Sequence, residues 1–132
     1  MFLGYDCVPA HRIPVPSLIF KICTIEEWAI ADMGGTFEGS EADLADGFIH
    51  FSTEEQMEGT VAKYFAGQED LLLVAVNPAE FGTSLKWEEA RGGDLFPHLY
   101  GQLDTSMVTW VIPMPIGETG QHILPALDAE TA

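Results

Sequence analysis

Apolar positions recur along this chain in two rhythms. Residues 18–23 and 71–76 are short, almost continuous apolar runs, which predicts strands; the second, Leu-Leu-Leu-Val-Ala-Val, reads as a central strand buried on both faces. Phe48, Ile49 and Phe51 follow an Asp46-Gly47 turn and predict another short buried strand. Residues 85–88 alternate apolar and polar, as a half-exposed strand does, and residues 107–113, with Val108, Trp110 and Ile112, form a last buried strand closed by Pro113 and Pro115. The helical rhythm appears at 54–65, where Met57, Val61, Tyr64 and Phe65 recur at i, i+4, i+7 and i+8 as a core-facing stripe. Its start is marked by Ser52 and Thr53, both at capping-box spacing. A second helix starts at the capping box Thr24-Ile-Glu-Glu27. Ile25, Trp28 and Ala29 begin its apolar face, and Met33-Gly34-Gly35 ends it.

Between these elements, residues 37–46 read as a polar connection with room for a helical turn, whose acids, Glu38, Glu41, Asp43 and Asp46, form a solvated face without the order of a calcium loop. Residues 88–101 contain Gly92-Gly93 and Phe96-Pro97, which break regular structure, and predict a long loop. Pro9, Pro14 and Pro16 make residues 1–17 an irregular extension. Residues 18–115 are expected to form one globular domain, and 116–132 a weakly ordered tail in which His122 has no assigned role. Helices and strands interleave unevenly, which argues for an α+β fold.

Composition narrows the partners. The chain has 132 residues and a formal net charge of −16, from 21 acids and 5 bases. So few cations cannot build the basic stripe that phosphate backbones or anionic membranes need, so no nucleic acid and no membrane are expected as partners. Cys7 and Cys23 form no disulfide framework or metal-ligand spacing, and Cys23 reads as a buried small hydrophobe. No basic region followed by an apolar core opens the chain, so the expected address is cytoplasmic.

Three groups carry candidate chemistry. His50 and Ser52 point to one face of a strand, and Thr53 follows at a helix terminus; together they could hold the two hydroxyls of a ribose. The plain alternative is a packed histidine and two caps. Arg91 precedes two glycines and could grip a phosphate or carboxylate; the plain alternative is a surface ion pair with Glu88 or Glu89. His98 and Tyr100 lie two apart, one suited to acid–base work and one to stacking on a ring; the plain alternative is a loop anchored by Phe96 and Leu99. His50 and His98 could also share a metal, although the spacing singles out no third ligand.

In Leu18-Ile-Phe-Lys-Ile-Cys, Ala45-Asp-Gly-Phe-Ile-His-Phe-Ser-Thr, Arg91-Gly-Gly and Phe96-Pro-His-Leu-Tyr-Gly101, the chain resembles the bacterial domain-of-unknown-function family DUF952, over about residues 18–115. The resemblance implies an ADP-ribosyltransferase-like fold, a split and bent pair of β-sheets with flanking helices and a cleft that holds NAD in active members. It implies that His50-Phe-Ser-Thr53 is the ribose-holding element, and that Tyr64 or Tyr100 stacks on a nicotinamide ring. The carboxylate such enzymes carry near the last strand has no counterpart in 107–113; Asp104 precedes that strand and Glu88 lies on an earlier one. The resulting expectation is a nucleotide site with NAD as a candidate substrate. His50, His98 and Glu88 are its candidate catalytic groups, and Ser52, Thr53, Arg91 and Tyr100 its ligand contacts. The alternatives are a binding module without turnover on the same fold, or a metal-assisted hydrolase using both histidines.

Overall fold

The computed structural model describes residues 17–124. The expected extension, with Cys7, His11 and Arg12, and the tail beyond 124 lie outside the described residues. Eight strands are described: β1 Ile19–Thr24, β2 Thr36–Phe37, β3 Ile49–His50, β4 Leu71–Val76, β5 Leu85–Glu89, β6 Leu95–Leu99, β7 Leu103–Asp104 and β8 Val108–Pro113. Three helices join them: α1 Ile25–Gly34, α2 Glu41–Asp46 and α3 Glu54–Tyr64. The strands form a sheet in the order β1-β4-β8, a second in the order β3-β6-β5, and a small pair β2-β7. Every pairing is antiparallel, so the fold is α+β.

Strand parity decides where the core sits. On β1 and β4, Ile19, Cys23, Val74 and Val76 face inward and meet Ile49, Phe51 and Leu99 from the second sheet. Phe20, Ile22, Leu71, Leu73 and Ala75 face the other way, and α3 covers them with Met57 and Val61. β4 is therefore buried on both faces, as its apolar run requires. The two sheets meet where Phe20 and Ser52 exchange both backbone hydrogen bonds, each 2.8 Å.

Several expectations need correction. The polar connection at 37–46 begins with Phe37 of β2 and holds the whole of α2, a six-residue helix where at most a helical turn is expected. The latter is opened by a Ser40/Asp43 capping box and closed by Gly47 in the left-handed conformation. α1 has its Thr24 cap and Gly35 terminus, but its apolar face is weak: Ala31 is buried, Trp28 packs on Phe37, and Ile25 and Ala29 are exposed. On α3, Met57 and Val61 form the core stripe, while Tyr64 is 60% exposed. β8 is an edge strand, half-buried at Val108, Trp110 and Ile112. Part of the tail is tied down: Ile116 pairs with His122, and His122 Nε2 lies 2.6 Å from the Gln68 carbonyl oxygen.

The largest correction concerns 88–101, which is a hairpin and not a loop. β5 and β6 pair from Leu85↔Leu99 to Glu89↔Leu95, around a turn at Arg91–Gly93 in which Gly92 and Gly93 take positive φ. Pro97 sits inside the middle strand without breaking it. Its carbonyl accepts from Phe51 N at 3.0 Å. In an antiparallel ladder a residue's N and O face the same neighbour, so the missing N–H falls where β3 has already ended.

Gly39 is a backbone requirement of this fold. Its φ is +123°, and a Cβ there would lie 2.7 Å from Asp43 Cβ. We expect Gly39→Ala to lower stability by about 1–3 kcal/mol in urea unfolding. Gly34→Ala, in the last turn of α1 with no neighbour within 4 Å of the added carbon, should leave stability unchanged or raise it by up to about 1 kcal/mol.

Candidate functional site

A cleft of 590 Å³ opens beside the seam of the two sheets. That is enough for a ligand of nucleotide size. Its lining includes Lys21 and Phe20 from β1, Asp43 and Asp46 from α2, His50 and Ser52 from β3 and its continuation, Thr60 and Tyr64 from α3, and Phe96 and His98 from β6.

Parity builds this face as it builds the core. Ile49, Phe51 and Leu99 point inward, with Leu85 and Trp87 against them. The alternate residues, Phe48, His50, Phe96, His98, Tyr100 and Glu88, therefore share the opposite face. His50 and His98 are direct cross-strand partners, with ring centroids 5.5 Å apart. Phe48 stacks on His98 at 4.1 Å and lies 4.6 Å from His50 and 5.2 Å from Tyr100.

One buried carboxylate organises the His50 side. Asp43 Oδ2 lies 2.7 Å from Lys21 Nζ and accepts from Ser40 N at 2.8 Å. Asp43 Oδ1 accepts from His50 N at 3.1 Å and lies 2.6 Å from His50 Nδ1. Burial alone would push this carboxyl up. The His50 hydrogen bond, the Lys21 charge and hydrogen bond, and the Ser40 amide outweigh burial and hold it well below the usual carboxylate range. His50 Nε2 faces Asp46 Oδ2 at 2.9 Å, from an aspartate that is largely exposed.

A second pair mirrors the first. His98 Nδ1 lies 2.7 Å from Glu88 Oε1, which also accepts from Tyr100 Oη at 2.8 Å. Those hydrogen bonds, His98 first, hold the Glu88 carboxyl below its usual range, and the Glu88 contact raises the Tyr100 phenol. Each imidazole is thus engaged at Nδ1 by a carboxylate, which fixes ring orientation; Nε2 of His50 meets Asp46 as well, whereas among the described residues His98 makes its carboxylate contact at Nδ1 alone.

The expected residues divide accordingly. His50, Ser52 and His98 come together in the cleft lining, and Ser52 Oγ lies 2.9 Å from Thr60 Oγ1. Glu88 and Tyr100 stand beside His98 but outside the lining. Thr53 is the N-cap of α3, where its N–H donates to Gln56 Oε1 at 3.0 Å. Arg91 lies in the hairpin turn next to Ala90, which lines the cleft; its side chain lies outside the described residues. Asp104 is occupied by the Ser106 amide and hydroxyl, and those bonds hold its carboxyl low. Among the described residues no group of three or more His, Cys, Asp or Glu side chains is arranged to hold a metal ion. Cys23 is buried, and its thiol is pushed up to about 12 by desolvation.

Asp43 and Lys21 are the residues that sequence reading missed. Asp43 is not part of a solvated face; it is 2% exposed. Two signals pointed to it: the Ser40-x-x-Asp43 capping-box spacing, and a lone lysine inside the apolar run of β1.

We expect Asp43→Asn to cost about 3–5 kcal/mol in urea unfolding, because it leaves the buried Lys21 ammonium without its counter-charge. The folded-state pKa of Asp43 lies below its ordinary value of 3.8. Its contribution is therefore complete above that value and is lost as pH falls below it. The variant should show a flatter loss of stability than the wild type on acidification below about pH 4.

The chain is similar to proteins of known structure. It aligns with the crystal structure of protein CC0527 from Caulobacter crescentus at 46% identity and a TM-score of 0.79, over 87% of this chain and 99% of that one. A double mutant of the same protein gives the same values. Its solution NMR structure gives a TM-score of 0.74 at 46% identity, over 87% of this chain and 97% of the other. No curated protein matches. No described helix is long and apolar enough to cross a membrane. The model of the family described as a protein of unknown function, DUF952, matches residues 22–111, and the chain belongs to that family.

Proposed function

We propose that the cleft binds a ribonucleotide of the NAD type, with ribose hydroxyls at His50 and Ser52. The observation that carries this reading is the Asp43–His50 pair. A buried carboxylate holds the ring by Nδ1 at 2.6 Å, so Nε2 is presented in the lining that also holds Ser52. A ribose hydroxyl binding there takes the place of Asp46, whose carboxylate is exposed enough to swing away. Tyr64, Phe65 and Phe96 give the same lining aromatic surface for a planar ring. The likeness of His50-Phe-Ser-Thr53 to the ribose-holding element of ADP-ribosyltransferase-like proteins supports the reading, as do two sheets that meet beside a cleft. Binding without turnover is the second reading, favoured by β8, whose six residues include no carboxylate.

A ligand that binds only the folded state raises the thermal midpoint with concentration. NAD or ADP-ribose at millimolar concentration should therefore raise the midpoint of the wild type, and His50→Ala should abolish the rise while remaining folded. An equal rise in the variant would remove His50 from the site.

A further inference from the structure

The two histidine–carboxylate pairs are alike at Nδ1 and differ at Nε2. In His50 that nitrogen faces Asp46 at 2.9 Å. In His98, among the described residues, Nε2 has no hydrogen-bond partner, although the residue is 5% exposed and lines the cleft. Glu88 can only accept, so the Nδ1 contact places the ring proton on Nδ1 and leaves a lone pair on Nε2. Phe48, stacked at 4.1 Å, keeps the ring from turning. A buried imidazole with one nitrogen fixed by a carboxylate and the other open to a cleft is built to move a proton.

The charge of the cleft indicates which reaction that proton transfer serves. Glu27, Glu41, Asp43 and Asp46 line it, and Lys21, the lysine among the described lining residues, is held against Asp43 at 2.7 Å. Cleavage at an anomeric carbon builds positive charge on the sugar, which nearby carboxylates stabilise.

Resting on the nucleotide reading above, we propose that His98 is the general base of an N-ribosyl hydrolase, with Glu88 as its positioning residue. His98 Nε2 takes one proton from a water whose oxygen bonds to the anomeric carbon. The carbon–nitrogen bond to the heterocycle breaks, and its electron pair stays on the ring nitrogen. A pyridinium leaving group such as that of NAD departs neutral and needs no proton. The proton on His98 passes to solvent, and the products are the free ribosyl compound and the base.

The test pairs two measurements on the full chain with NAD as the probe: affinity by calorimetry, and nicotinamide release by liquid chromatography. Wild type should bind NAD and release nicotinamide. His98→Gln should bind within about twofold of wild type and release about 100-fold more slowly or worse, the size expected for loss of a general base. Glu88→Gln should lower kcat with KM retained. If His98→Gln does not fold, His98→Asn serves in its place. Wild type that binds NAD without release, or a His98 variant that turns over at the wild-type rate, overturns the general-base role and leaves the binding reading intact. Wild type that fails to bind NAD overturns both.

Discussion

The carboxylate of Asp43 is the constraint on which the rest of this structure depends. Its two oxygens meet a lysine from β1, the amide that opens α2, and both the amide and the ring of His50 on β3. One side chain thus ties α2 and β3, neighbours in sequence, to the earlier strand β1. An unpaired ammonium or carboxylate would be costly in this interior, so the elements come together or none does. Gly39 belongs to the same arrangement, since only a residue without Cβ leaves room beside Asp43.

From that anchor the site follows by alternation. The residues of β3 and β6 that point inward make the core, so their neighbours must face the cleft side. That places two histidines opposite each other and gives each a carboxylate at Nδ1. The carboxylates of the cleft lining suit a sugar that gathers positive charge at its anomeric carbon, which joins the proposed ligand to the proposed chemistry.

Much of this was legible in the sequence. The apolar runs of β1 and β4, the Met57 and Val61 stripe of α3, and the capping box at Thr24 appear where the pattern places them. His50 and Ser52 were readable as one face of a strand, whereas His98 was singled out only with Tyr100 in a stretch read as a loop. Other features were hidden by tertiary context. Pro97 reads as a strand breaker until its missing N–H is seen to fall beyond the end of β3. Asp43 reads as one acid among four, because burial of a charge depends on a partner 22 residues away, as the numbering of Lys21 and Asp43 shows. Tyr64 fits a helical stripe by spacing, yet its position falls at the cleft edge, where α3 no longer covers the sheet.

The central claim is that a carboxylate at Nδ1 orients each imidazole, and that His98, with no second carboxylate at Nε2 among the described residues, presents that nitrogen to the cleft. Nitrogen NMR of the histidine rings, assigned with single His→Gln variants, tests this most directly. At a pH where the ring is neutral, His98 should carry its proton on Nδ1, toward Glu88. A proton on Nε2 of His98, with Nδ1 bare against Glu88, would contradict the account at its base.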